Sequence, residues 1–118
     1  MSMKYLCLVY LSEAKLAAMS PAEQKALDKD SADYDAQLKQ RGVFVAAEAL
    51  QSVPSAVALR RIDDRLTRTD GPYVETKEHL GGFILIDVRD LEEAVEIASK
   101  IPVSRYGGVE VRPIYNFQ

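Results

Sequence analysis

The run Met3–Leu11 (MKYLCLVYL) is apolar nearly throughout. In an extended chain Tyr5, Cys7, Val9 and Leu11 point one way, and Leu6, Leu8 and Tyr10 the other. A strand apolar on both faces is central in its sheet and covered on both sides. Phe83–Val88 (FILIDV) has the same character. Two such strands demand a sheet with apolar material against each face, which excludes most small folds.

The remaining elements follow from local signals. Ser12–Ala18 can form a short helical turn. Ser20-Pro21-Ala22-Glu23 is a capping box with proline at the first helical position. The helix it opens runs to about Arg41, with Gly42 as a left-handed stop. Its apolar stripe is narrow (Leu27, Tyr34 and Leu38, with Ala26 and Ser31 alongside), and Lys25, Asp28, Lys29, Asp33, Asp35 and Lys39 form the solvated face. Val43–Leu50 reads as a strand that carries Glu48 in apolar company. After a break at Ser52–Ser55, Ala56–Ile62 and Arg65–Thr69 alternate apolar and basic residues around Asp63-Asp64, the pattern of a hairpin with one wet face. Gly82–Val88 is the next strand. Asp90 caps a helix and Glu93 completes a second capping box, with Leu91, Ala94, Val95, Ala98 and Ile101 on its apolar face. Pro102 ends it, Ser104–Gly108 is a loop, and Gly108–Tyr115 is the last strand.

The order is therefore strand, helix, strand, hairpin, strand, helix, strand. Two strand-helix-strand units with both helices on one side of an antiparallel sheet make an α+β ferredoxin-like sandwich with an inserted β-hairpin. Two long helices leave one sheet face bare. Because the central strands are apolar on that face too, the expectation is a homodimer with sheets packed face to face about a two-fold axis.

At 118 residues the chain is one domain, 1–118, and large enough to sustain a core without metal or disulfide. A net charge of −3 argues against nucleic acid as a partner. Arg60, Arg61, Arg65 and Arg68, flanked by Asp63 and Asp64, read instead as the outer face of the hairpin. The single Cys7 cannot form an internal disulfide and sits in an apolar run, as a small core hydrophobe does. No run is long enough to span a bilayer, and the start lacks a signal-peptide cleavage pattern, so the expected location is the cytoplasm. One His, one Cys and scattered carboxylates lack metal-ligand spacing, and neither Gly81-Gly82 nor Gly107-Gly108 fits a nucleotide fingerprint. No cofactor is expected.

Chemistry-bearing residues concentrate in Thr69–Gly82 (TDGPYVETKEHLGG). Asp70-Gly71-Pro72 is a chain-reversing signal. Asp70 is first a turn former, and in a pocket its desolvated carboxyl would serve as a general base. Glu75 and Glu78 can pair with Lys77 to fix the loop. Alternatively Lys77 binds an anionic substrate while Glu75 handles protons. His79 is a further acid/base candidate, histidine being the side chain suited to that role at physiological pH. Glu48 needs a partner or a pocket, and Arg112 on the last strand is the partner expected for it. Tyr5 and Tyr34 can reach a cleft or simply pack.

Asp70-Gly71-Pro72-Tyr73-Val74-Glu75-Thr76-Lys77-Glu78, followed by Leu80-Gly81-Gly82, resembles the DGPF (DGPFAETKE) motif of YCII-related proteins. The opening MKYLCLVY, Ala46–Leu50 (AAEAL), the helix from Asp90 and Val109–Ile114 (VEVRPI) extend the resemblance over essentially the whole chain. Tyr73 replaces the usual phenylalanine, and His79 stands where the family more often has glutamine. The resemblance implies a dimeric ferredoxin-like α/β barrel of bacterial origin and unassigned activity, often encoded near extracytoplasmic-function sigma factors. The wider group includes dehalogenation-type enzymes for which a histidine–aspartate pair is proposed, and the early strand and helix here hold no such histidine.

Two functions follow as expectations. One is a small-molecule-binding homodimer, in its enzymatic form a cofactor-free acid/base catalyst of proton transfer or elimination. Asp70, Glu75 and His79 would be its catalytic residues, and Tyr5, Glu48, Lys77 and Arg112 would contact the substrate. The other is a non-catalytic regulatory or interaction module in a sigma-factor pathway.

Overall fold

A computed structural model describes residues 2–117. The doubly apolar first run becomes β1 (Met3–Ser12), which pairs antiparallel with β5 (Glu78–Val88) on one side and β6 (Gly107–Pro113) on the other. β2 (Phe44–Ala49) pairs antiparallel with β5, giving a four-stranded sheet in the order β2-β5-β1-β6. Both doubly apolar strands are thus central, as their composition requires. The protein is α+β with antiparallel sheets.

Side-chain alternation sorts the sheet into two faces. Tyr5, Cys7, Val9 and Leu11 of β1, with Ile84, Ile86 and Val88 of β5, are buried beneath α2 (Pro21–Arg41) and α3 (Leu91–Ser99). Leu38, Ile86, Ile97 and Cys7 are the largest fully enclosed side chains. Burying each of the three aliphatic ones contributes roughly 1.5–3 kcal/mol. Leu6, Leu8, Tyr10, Phe83 and Leu85 point to the opposite face, are half-buried, and lie outside that core. No described helix packs there. The molecule is only 17 Å thick, about one sheet and one helix layer.

Helix boundaries follow the capping chemistry. Ser20 Oγ accepts from Glu23 N and Glu23 Oε1 accepts from Ser20 N, both at 3.1 Å, and Gly42 stops α2 at φ 78°. Ser12 caps the short α1 (Glu13–Ala17). At α3, Asp90 Oδ1 accepts from Glu93 N as expected, but the Glu93 carboxylate reaches past the cap to Arg89 N at 2.9 Å. The buried face of α3 is also rotated from the expected one. Ala94, Ile97, Ala98 and the following Ile101 are enclosed, while Leu91 and Val95 are exposed. The two exposed residues match the helical period but lie at the margin of the stripe, beyond the reach of the sheet.

Two further boundaries differ from expectation. β5 begins at Glu78 rather than Gly82, so Glu78, His79 and Leu80 are strand residues paired with Ser12, Leu11 and Tyr10. The long β1 offers ladder partners that far. The register shift is absorbed opposite Val9/Tyr10, beside Gly81. Ser104–Gly108, expected as a loop, is mostly a 3-10 turn (Pro102–Tyr106) leading directly into β6.

β3 (Val57–Ile62) and β4 (Arg65–Asp70) form a separate two-stranded hairpin. It does not have one wet face. Register places Leu59 beside Arg68 and Leu66 beside Arg61, so apolar and basic side chains share a face. Asp63 and Asp64 both take positive φ (48° and 66°), which makes the connection a type I′ turn. Glycine relieves that left-handed cost. Asp64→Gly is therefore expected to raise stability in urea unfolding by about 0.5–1 kcal/mol. A lowered midpoint would contradict the turn assignment.

Candidate functional site

α2 does not seal against the sheet along its whole length. Its second half does, through Leu38 and through the Tyr34 hydroxyl, which donates to Ile97 O at 2.6 Å. Between Gln24 and Asp35 one flank of the helix borders a cleft of about 530 Å³, bounded by α2, β2, β5 and the chain around Ile101–Val103. Its walls are Leu11, Leu16, Leu27, Ile84 and Val103, and its polar groups are Gln24, Asp28, Ser31 and Asp35 of α2. This volume lies within the range of ordinary small-ligand sites.

Electrostatics single out two groups of α2 that line the cleft. Burial pushes the Asp35 carboxyl above the usual carboxylate range, against a smaller opposing pull from Lys39. Tyr34 is pushed up to about 12, chiefly by burial and then by the Glu96 charge. The fold thus favours the neutral phenol. The stability gained is complete below the unfolded tyrosine value near 10 and is lost as pH rises toward 12. Cys7, pushed up to about 11 by burial, extends the same trend downward to about pH 9. Tyr34→Phe is expected to flatten the decline between pH 10 and 12 in pH-dependent unfolding. An unaltered profile would remove Tyr34 as its source.

The structure disperses the residues singled out from sequence. Tyr5 is in the core beneath the helices, with its hydroxyl directed to Met3 Sδ at 3.7 Å. Asp70 ends β4 and Glu75 lies in the following loop, both exposed. Gly71 takes φ 113° and its N–H donates to Ala56 O at 2.7 Å, so the DGP signal turns the chain as read. Lys77 and Glu78 line a more open hollow of about 650 Å³ with Tyr10, Ser12 and Lys15. His79, half-buried, lines a second recess with Leu50, Pro72, Tyr73 and Val74. Glu48 alone of the seven borders the α2 cleft, but it pairs with Phe83, so its side chain leaves on the open face of the sheet.

The expected Glu48–Arg112 pair does not form. Glu48 lies on β2 and Arg112 on β6, the two opposite edges of the sheet. At about 4.8 Å per strand spacing they are roughly 14 Å apart in the sheet plane. Arg112 instead donates from Nε to Glu110 Oε2 at 2.7 Å on its own strand. No group of His, Cys, Asp and Glu among the described residues could hold a metal ion. No helix among them is long and apolar enough to cross a membrane.

Ser31 was placed beside the apolar stripe, whereas Asp28 and Asp35 were read as solvated because a charged helix residue ordinarily is, and Gln24 was not singled out. Their spacing (i, i+4, i+7, i+11) was the available signal. They run down the same face as Leu27, Tyr34 and Leu38, producing one mixed stripe.

With the fold and cleft defined, comparison with known proteins places the chain. The model of the YCII-related domain matches residues 3–118, so the chain belongs to the YCII-related family. It is also 32% identical over 114 residues to an uncharacterized protein, R00369, of Rhizobium meliloti (strain 1021), covering 95% of this chain and 92% of that one.

Proposed function

We propose that this YCII-related protein is a homodimer that binds a small molecule in the cleft between α2 and the sheet. The observation that carries the reading is the cleft itself: apolar walls, a line of hydrogen-bonding groups on one helix, and a carboxyl at Asp35 that burial pushes toward its protonated form. Such a site takes the apolar body of a small aromatic or aliphatic compound against Leu27 and Ile84, and its polar substituents against α2. Asp35 is suited to pass a proton to or from a bound compound. The enzymatic form of this reading is cofactor-free proton transfer or elimination, moved from the DGP loop to the α2 cleft.

The strand order β2-β5-β1-β6 with the helices on one face supports a ferredoxin-like arrangement. The open face supports pairing of two such sheets into a dimeric barrel.

The test is a thermal-shift screen of small polar and aromatic compounds against the parent and Asp35→Asn. A compound that stabilises the parent is expected to bind the variant at least about tenfold more weakly, the loss of one hydrogen bond to a charged or proton-sharing group. Equal responses would remove Asp35 from the site. A second reading, a non-catalytic regulatory module in a sigma-factor pathway, draws on the exposure of Asp70, Glu75 and Lys77. On that reading the bound compound is recovered unchanged after prolonged incubation with the protein.

A further inference from the structure

The β3–β4 hairpin projects from the body as an arm. Its ties to the rest of the described chain are few: Gly71 N–H donates to Ala56 O at its base, and the Arg60 guanidinium lies 4.3 Å from the Tyr73 ring centre. A lone two-stranded hairpin is marginal in water and is ordinarily held by something packed on it. Here Val57, Leu59 and Leu66 share one face with Arg61 and Arg68, and the three apolar side chains are each about half exposed. Arginine interleaved with apolar groups is the composition of a protein interface rather than of a solvated surface.

We propose that this face of the arm is an intersubunit clasp that lies on the body of a second copy of this chain. The inference rests on the homodimer reading and adds a second contact region to the sheet face.

Two observations name the occupant. The first is area. The chain exposes 8475 Å², whereas a folded monomer of its mass exposes roughly 6,400 Å². The excess of about 2,000 Å² per chain falls in the range of large, permanent interfaces rather than small, transient ones. The radius of gyration agrees, at 16.1 Å against about 13.5 Å for a compact chain of this length.

The second is charge. Arg41, Arg89, Arg105 and Arg112, all on the body, are each paired with a carboxylate of the same chain. None of Arg60, Arg61, Arg65 and Arg68 has a carboxylate partner among the described residues, and Arg61 and Arg68 lie on the face with Leu59 and Leu66. Outside the arm, fifteen acids stand against eleven bases. The body of a second copy, acidic in net charge, is the complement to Arg61 and Arg68 on that face.

The test compares parent and Leu59→Asp/Leu66→Asp by sedimentation equilibrium, with hydrogen exchange of residues 57–70 measured above and below the parent's dissociation constant. The expected results are a dimer dissociation constant at least 100-fold higher in the variant, with its thermal transition retained, and arm amides protected in the dimer but not after dilution. A dimeric parent with unchanged association in the variant and a freely exchanging arm would overturn the clasp and leave the sheet-face dimer standing. A monomeric parent would overturn both. Arm protection that appears only when poly-glutamate is added to a dimeric parent would also overturn the clasp, assigning the arm to an acidic partner.

Discussion

Replacing Gly107 with alanine is expected to destabilise the protein by at least about 3 kcal/mol, the upper end of what overpacking costs. Gly107 opens β6 and pairs with Leu11 across the ladder. A Cβ built there would sit 1.8 Å from Tyr10 O and 2.8 Å from Tyr10 C. The obstacle is backbone of the central strand and cannot swing aside as a side chain would. The two strands must separate, and the ladder bonds at the start of β6 go with them. For a domain of this size the thermal midpoint should fall by roughly 10 °C or more. Gly108→Ala is the control, because its Cβ would meet nothing within 4 Å and its φ is not positive. If Gly107→Ala melts with Gly108→Ala and the parent, the close approach of the two backbones is wrong.

The second large effect concerns the open face. Leu8 sits on β1 between Phe83 of β5 and Glu110 of β6, near the middle of that surface. If two sheets meet there, Leu8→Asp buries an unpaired carboxylate in each copy, at about 3–5 kcal/mol apiece. The dimer dissociation constant should rise at least about 1,000-fold, each 1.4 kcal/mol being tenfold. The monomer itself should remain folded, because the helix-side core of Cys7, Val9, Ile86 and Ile97 is untouched. An undiminished dimer would place the interface elsewhere.

Both variants bear on features that differ in how far the sequence reveals them. The capping box at Ser20, the stop at Gly42, the DGP turn and the two central strands are written in local chemistry. Each depends on residues within a few positions of one another, and each is found where it was read. The family assignment was legible for the same reason, since the DGP segment is contiguous. The buried face of α3 was read one step off, with Ile97 missed, because periodicity gives the spacing of a stripe but not which edge of it meets the sheet.

The candidate site was the least legible part. Asp70, Glu75 and Lys77 attracted attention as a charged cluster between apolar runs, but the turn they share directs Asp70 and Glu75 to solvent. Asp28 and Asp35 were assigned to the wet side of α2; Asp28 is exposed as read, but Asp35 is half-buried, because no pattern within a helix announces which flank of its stripe will border a cleft. Glu48 and Arg112 looked like partners because both carry charge on apolar strands. Strand order put two whole strands between them.

On its own, the sequence determined the element order, the helix ends, the reversal at Asp70–Pro72 and the burial of Cys7, since short-range sterics, capping bonds and alternation act over a few residues. Tertiary structure alone decided which strands adjoin, that Gly107 must lack a side chain, that α2 opens a cleft, and that the β3–β4 arm stands free. Those outcomes depend on contacts between residues distant in the chain, and their energies are set by packing that no local pattern encodes.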